Sequence, residues 1–184
     1  MSRLTLHTLD TAPANSRPFV EKAFANNGFL PNLIGVLANA PLALETYLTV
    51  SGINARASLS LMEREVVQIT AARIHGCDFC IAGHSAISLK KAGQTPETVR
   101  ALQHGQPTGD ARLDAVAAFA TTVIATRGAV TDADYRAFLG AGYNQQQALE
   151  VVLGISLATL CNFSNSLAGT PVNAQLTPYL PGAV

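Results

Sequence analysis

The segment LSLMEREVVQITAARIHGCDFCIAGHSAISLKKAG, residues 59–93, decides how this chain folds. Ser60 followed by Glu63 is the pattern of a capping box, in which a hydroxyl and a carboxylate satisfy the N–H groups that open a helix. Val66, Val67, Ile69 and Ile74 then recur at helical spacing. Gly76 offers the left-handed exit that residues with a Cβ adopt only at a cost. A second helix is predicted over CDFCIAGHSAISLKKAG, with Lys90 and Lys91 near its carbonyl end and Gly93 after it. The two helices read as a hairpin with its corner at Gly76.

Within that segment, HGCDFCIAGH (residues 75–84) holds two of the three cysteines and two of the four histidines of the chain. At about 100° per residue, Cys77, Cys80 and His84 share a helical stripe roughly 60° wide. Cys80 and His84 are i,i+4 neighbours, and Cys77 and Cys80 have the i,i+3 spacing that lets two thiols close a disulfide at a helix start. With the preceding helix broken at Gly76, both thiols are expected in the first turn of the next, where free N–H groups favour thiolate. Glu65 lies eleven positions before Gly76 and His84 eight after it, so a fold-back at the corner brings the carboxylate to the imidazole. A carboxylate there raises imidazole basicity and fixes its tautomer. Glu63 and Arg64 point to other faces. The spacing therefore predicts a Glu65–His84–Cys80 relay with Cys77 as the resolving thiol.

Composition bounds the rest. The chain has 184 residues, enough for one domain with a real core, and no interdomain linker or internal repeat is visible. Apolar residues make up 48% and charged residues 13%, which leaves little polar surface and points to apolar surface buried against another copy. Twelve basic residues balance twelve acidic ones, so no field draws the chain to nucleic acid or to an anionic membrane. The N-terminal MSRLTLHTLDTAPANSRP lacks the basic-then-apolar run of a signal peptide, and ALEVVLGISLATLCNF is short for a membrane span and carries Glu150. A cytoplasmic protein is expected, in which a close cysteine pair is catalytic or metal-binding rather than a permanent disulfide. Helical signals run throughout: SRPFVEKAFANNG, two helices marked by Pro31 and Pro41, a short one in QTPETVRALQHG, and an amphipathic one in ARLDAVAAFATTVIATRG. TDADYRAFLGAG follows with Thr131 as N-cap, then the long NQQQALEVVLGISLATLCNFSNSLAG, read as mostly buried. A proline-rich tail from about residue 170 is expected to lie along the surface or across a neighbouring subunit.

These residues carry a resemblance. EREVVQITAARIHGCDFCIAGH resembles the alkylhydroperoxidase AhpD / carboxymuconolactone decarboxylase family, whose pattern is a Glu, eleven residues, then Cys-x-x-Cys-x-x-x-His. GFLPNLIGVLANAP, LSLMEREVV and LCNFSNSLAGTPVNAQL resemble flanking pieces of its peroxidase-related branch, so the likeness runs from about Phe29 to Leu176. The resemblance implies an all-α AhpD-like domain over 1–184, assembled as a homo-oligomer, often a trimer or hexamer. It further implies thiol-dependent reduction of a hydroperoxide with no bound cofactor. Cys80 would attack the peroxide, Cys77 would resolve it, and Glu65 and His84 would relay protons. A lipoyl or thioredoxin-like dithiol donor would reduce the resulting disulfide. Some peroxidase members carry a His just before the second cysteine, where this chain has Phe79.

Three other readings stand beside this one. A cofactor-free lactone decarboxylase would need proton transfer but no dithiol. A zinc module would draw three ligands from Cys77, Cys80 and His84, with His75 or Glu65 as a fourth. A redox-responsive, non-enzymatic thiol module would need no substrate. Cys161, in the apolar run of the last long helix, reads as inert core. His75 reads as a favourable charge at a helix end, and His7 and His104 as surface residues. Asn162 and Asn165 read as helix cross-links without a chemical role.

Overall fold

The computed structural model describes residues 2–184. Among these the chain is all-helical: α1 (Arg17–Asn27), α2 (Asn32–Leu37), α3 (Pro41–Asn54), α4 (Leu61–Ile74), α5 (Asp78–Lys90), α6 (Pro96–His104), α7 (Ala111–Thr126), α8 (Asp132–Gly140) and α9 (Gln145–Ala168). Each predicted helix is found.

The starts of these helices follow from their caps. Ser60 Oγ accepts the Glu63 N–H at 3.2 Å while Glu63 Oε2 accepts the Ser60 N–H at 2.8 Å, the predicted capping box. The other oxygen of Glu63 accepts from Arg112 Nε at 2.8 Å, tying α4 to α7. Asn144 and Gln147 make a second capping box at α9. Thr131 caps α8 as expected.

Helix α4 lies at the centre, packed against α5, α6, α7 and α9. Its buried residues reach two separate core clusters. One contains Val66, Val67 and Ile69 with Phe119, Phe138 and Tyr143. The other contains Ala72 with Val20, Leu44, Cys77, Phe79, Cys80 and Cys161. Helix α9 also serves both, through Val151 in the first and Leu157 and Cys161 in the second. Where α9 crosses α4, a Cβ on Gly154 would stand 3.0 Å from a Val67 methyl, so the close approach there suits a residue without a side chain.

The corner is at Gly76 (φ 67°), with the Cys77 N–H donating to Ala72 O at 2.9 Å and the Gly76 N–H to Arg73 O at 3.2 Å. One expectation changes here. Cys77 is not in the first turn of α5 but is its N-cap, with extended backbone (φ −103°, ψ 89°). The regular helical stripe therefore joins only Cys80 and His84, and Cys77 reaches the same place as a cap.

Helix α9 differs from its reading as a mostly buried helix. Leu149, Val152, Phe163 and Leu167 are exposed, Phe163 and Leu167 by 57% and 63%. By length and apolarity α9 is the one helix among the described residues that could cross a membrane. Its packing against α2, α3, α4 and α7 makes it a helix of the domain core instead. The tail folds back over this chain: a 3-10 turn at Thr177–Tyr179 packs on α5, Gln103 Nε2 donates to Tyr179 O at 3.0 Å, and Arg100 Nε donates to Val184 O at 3.0 Å.

Candidate functional site

The hairpin delivers its carboxylate to its imidazole. His84 Nδ1 donates to Glu65 Oε2 at 2.7 Å, linking the middle of α5 to the start of α4. Glu65 is buried, its side chain 7% exposed, whereas the His84 side chain is 25% exposed, so the imidazole is the member able to exchange protons with solvent. With Nδ1 committed to Glu65, proton traffic falls to Nε2. Burial alone would lower the His84 pKa, but the Glu65 charge and hydrogen bond outweigh it and hold the ring protonated above its ordinary range.

Cys77 and Cys80 are free, buried thiols at the start of α5. The Cys77 sulfur accepts the Cys80 backbone N–H at 3.4 Å, the bond an N-cap side chain normally makes. The Cys80 thiol beside it lowers the Cys77 pKa against the opposing effect of burial. The Cys80 N–H, Asn165 and the nearby His84 charge act in the same direction. Cys80 is pushed the other way, first by the Cys77 thiol beside it and then by burial. Two thiols this close titrate together, and ionising one raises the cost of ionising the other.

Two groups that the sequence reading left without a chemical role belong to this site. Asn165, 4% exposed, donates from Nδ2 to Cys80 Sγ at 3.2 Å and to Cys77 Sγ at 3.7 Å. Its neighbour Asn162 accepts from His75 Nδ1 at 3.0 Å, and that ring packs on Phe163 with centroids 5.0 Å apart. His75, the C-cap of α4, thus also links the corner to α9. The available signal was chemical: an amide in an apolar helical run is costly to bury unless it finds a partner. Tyr47 of α3 packs against the thiol-bearing cluster, and burial, with Cys161, Cys80 and Glu65 nearby, raises its pKa so that the phenol stays protonated.

The remaining expectations are placed as follows. Cys161 is buried in the cluster that holds both reactive thiols, and burial pushes its pKa up to about 12, which keeps it a neutral thiol. Phe79 is buried in the same cluster, so the position occupied by His in some relatives is here a packing position. His104 is exposed and His7 is half-buried, its Nδ1 bonded to Thr11 O at 2.9 Å. Among the described residues no group of three or more His, Cys, Asp or Glu side chains is arranged to hold a metal ion.

Residues 41–122 match the carboxymuconolactone decarboxylase family. That span runs from the start of α3 into α7 and includes all four residues of the predicted relay. No curated protein matches the chain. Among solved structures, the AhpD core of a peroxidase-related protein from Ralstonia eutropha JMP134 is similar, with TM-score 0.86 and 21% identity over 100% of this chain and 97% of that one. A peroxidase-related protein from Silicibacter sp. TM1040 has TM-score 0.79 and 20% identity over 95% and 94% of the two chains. The debrominase Bmp8, as its C82A form with 2,3,4-tribromopyrrole, has TM-score 0.79 and 16% identity over 100% and 98%. At these identities the likeness establishes a shared fold.

Proposed function

We propose that this chain, whose residues 41–122 match the carboxymuconolactone decarboxylase family, is a thiol-dependent reductase of hydroperoxides. The observation that carries this reading is the 2.7 Å bond from Glu65 to His84, whose own helix begins with two free thiols. Thiolate and proton donor are the two things peroxide cleavage needs. One sulfur takes the terminal oxygen of the hydroperoxide, the O–O bond breaks, and the departing alkoxide is protonated by His84. The second thiol condenses with the sulfenic acid, releasing water and leaving a Cys77–Cys80 disulfide. An external dithiol, of lipoyl or thioredoxin-like type, restores both thiols. No bound cofactor enters this cycle, and a dithiol that must be kept reduced suits the cytoplasm.

Lactone decarboxylation, the reaction in the family name, would use the Glu65–His84 pair alone and leave the dithiol idle. The debrominase neighbour brings a second class of acceptor, because replacing bromine by hydrogen on an aromatic ring also consumes two electrons, which one dithiol supplies. The test follows alkyl hydroperoxide consumption with a small dithiol reductant in wild type and in Cys77→Ser and Cys80→Ser. Turnover is expected in wild type and a loss of at least about a hundredfold in each variant. Unchanged turnover in both variants rules the reading out. Bromide release from a bromopyrrole under the same conditions reports the second acceptor.

The proposal includes a second copy of the chain over the exposed face of α9. Leu149, Val152, Ser156, Leu160, Phe163 and Leu167 fall within a stripe about 80° wide. No charged residue follows Glu150 in the chain. The stripe is self-complementary: antiparallel pairing sets Leu149 against Leu167, Val152 against Phe163 and Ser156 against Leu160, as a two-fold interface requires. A Phe163→Asp variant is expected to run at a smaller mass than wild type in light scattering. Identical masses would remove the second copy from this face.

A further inference from the structure

We propose that Asn165 is a catalytic residue whose two ends do separate work: Nδ2 holds the reactive sulfur, and Oδ1 receives the O–H of the hydroperoxide, so that one amide sets sulfur and oxygen in contact. The inference rests on the hydroperoxide-reductase reading above and names the group that binds the substrate within it.

The nitrogen end is already engaged. Asn165 projects from α9, is 4% exposed, and donates from Nδ2 to Cys80 Sγ at 3.2 Å and to Cys77 Sγ at 3.7 Å. Whichever sulfur is ionised, an N–H aimed at it favours the thiolate. The oxygen end is free: Asn165 Oδ1 is buried and has no hydrogen-bond partner. Asn162, one turn earlier on the same helix and 1% exposed, shows the contrast, because its Oδ1 accepts from His75 Nδ1 at 3.0 Å. Other buried side-chain atoms lack partners too, Gln103 Oε1 and Asn54 Oδ1 among them, but among the described residues only Asn165 is bonded at its other end to the thiols. Nor do its neighbours claim that oxygen. Glu65 is committed to His84, and neither Tyr47 nor Cys161, the other O–H and S–H groups of the cluster, bonds to it. A buried carbonyl without a donor is costly, and a donor arriving with the substrate would satisfy it.

A hydroperoxide has one O–H donor, and it sits on the terminal oxygen that sulfur attacks. Accepting that O–H at Oδ1, beside the Nδ2 that holds the sulfur, brings the two reacting atoms together from one rigid group. The S–O bond forms as the O–O bond breaks, the alkoxide takes its proton from His84, and the hydroxyl proton stays on the transferred oxygen. The sulfenic acid thus keeps its hydrogen bond to Oδ1. The second thiol then attacks the oxidised sulfur, and water leaves with the hydroxyl and the proton of that thiol. When the thiolate of an external dithiol opens the disulfide, the sulfur that departs as thiolate takes the Nδ2–H again. The substrate class follows from the donor. Oxidants with an O–H on the electrophilic atom gain from Oδ1, and a disulfide, which has none, gains nothing there.

The experiment compares two oxidants on the reduced full-length chain in a single turnover: cumene hydroperoxide, and dithiodipyridine, an aromatic disulfide that reacts with the same thiols but carries no O–H. Asn165→Ala is expected to slow both reactions, and to slow the hydroperoxide at least about tenfold more than the disulfide. Asn165→Asp retains an acceptor at the same place, so the ratio of the two rates should stay within about threefold of wild type even where both rates fall. A residue that only packs, or only favours the thiolate, moves both rates alike. Equal slowing of the two oxidants in Asn165→Ala, or a ratio in Asn165→Asp as low as in Asn165→Ala, therefore overturns the assignment. Should Asn165→Ala fail to fold, Asn165→Leu, which fills the space of the amide without a polar group, is read in its place. If wild-type thiols react with the disulfide and not with the hydroperoxide, the functional reading itself falls. If wild type consumes hydroperoxide and the ratio does not move, only the role of Asn165 falls.

Discussion

The two core clusters are built from different materials. Around Phe138 the core is aromatic: Phe138 stacks on Phe119 with centroids 4.2 Å apart and on Tyr143 at 4.4 Å, and Arg112 lies over the Tyr143 ring. Around Cys80 the buried core is mostly aliphatic, with Phe79 among it, and into it are set three thiols and, alongside, an amide donating to sulfur. The aromatic half gains stability from packed rings and area, and the polar groups at its edge are committed to caps. The thiol half buries groups that cost stability unless each has a partner, and their pairing produces the shifted thiols and the proton-holding imidazole. The difference teaches where this chain spends stability on reactivity: substitutions in the thiol half should damage turnover more than folding, and those in the aromatic half should do the reverse.

The strongest break of that contrast is Glu65→Gln. Removing the charge that holds the His84 proton is expected to lower hydroperoxide turnover by about 10² to 10⁴ and to bring the His84 titration, followed by ring-proton NMR, down from its raised position. The sign of the stability effect follows from that direction. A histidine whose pKa is raised on folding stabilises the fold fully below its unfolded value of about 6.5, and that contribution fades as pH rises through the folded value. The charge-dependent part of the stability gap between wild type and variant should therefore be widest in mildly acidic solution. A gap that grows steadily with rising pH would mean that Glu65 does not act on His84 through its charge.

Phe138→Ala tests the other half. Phe138 is 1% exposed between two stacked rings, so its truncation should cost about 3–5 kcal/mol in denaturant unfolding. Turnover per folded molecule should stay near wild type. A large fall in turnover at full folding would erase the distinction between the two halves.

Asn165→Ala sharpens the contrast, since one residue there serves both purposes. It should cost about 1–3 kcal/mol of stability for a buried hydrogen-bonding amide and also slow recycling of the disulfide by the external dithiol. If stability falls and recycling does not, Asn165 is a packing residue only. The smallest effect is expected at Ser60→Ala, where losing a cap costs about 1 kcal/mol and thermal unfolding should shift while the thiol titrations do not move.

The site was legible in the sequence to the extent that its parts are held by one local device. Glu65, Gly76, Cys77, Cys80 and His84 lie within one hairpin, and helical spacing plus a left-handed glycine suffices to bring Glu65 to His84. The pairing of Cys77 with Cys80 was legible for the same reason. That Cys77 stands one residue outside α5 was not, because periodicity does not resolve that boundary. Asn165, Asn162 and Tyr47 were illegible as site residues because they arrive through space, from helices whose crossing with α4 and α5 depends on packing such as Gly154 on Val67. The exposed stripe of α9 was misread because apolar residues at every turn mark either a buried helix or one that is covered from two sides.

By itself the sequence determined the helices, their caps, the corner at Gly76 and the meeting of carboxylate and imidazole. Those features depend on backbone conformations and spacings a few residues long, which local chemistry controls. Only the tertiary structure decided that an amide from α9 would reach both sulfurs, that Cys77 would cap rather than enter its helix, and that the last long helix would turn one apolar face away from its own domain. Those outcomes depend on how rigid helices cross and on which buried polar groups find partners. Contacts among residues 88 or 85 positions apart are set by packing, not by periodicity.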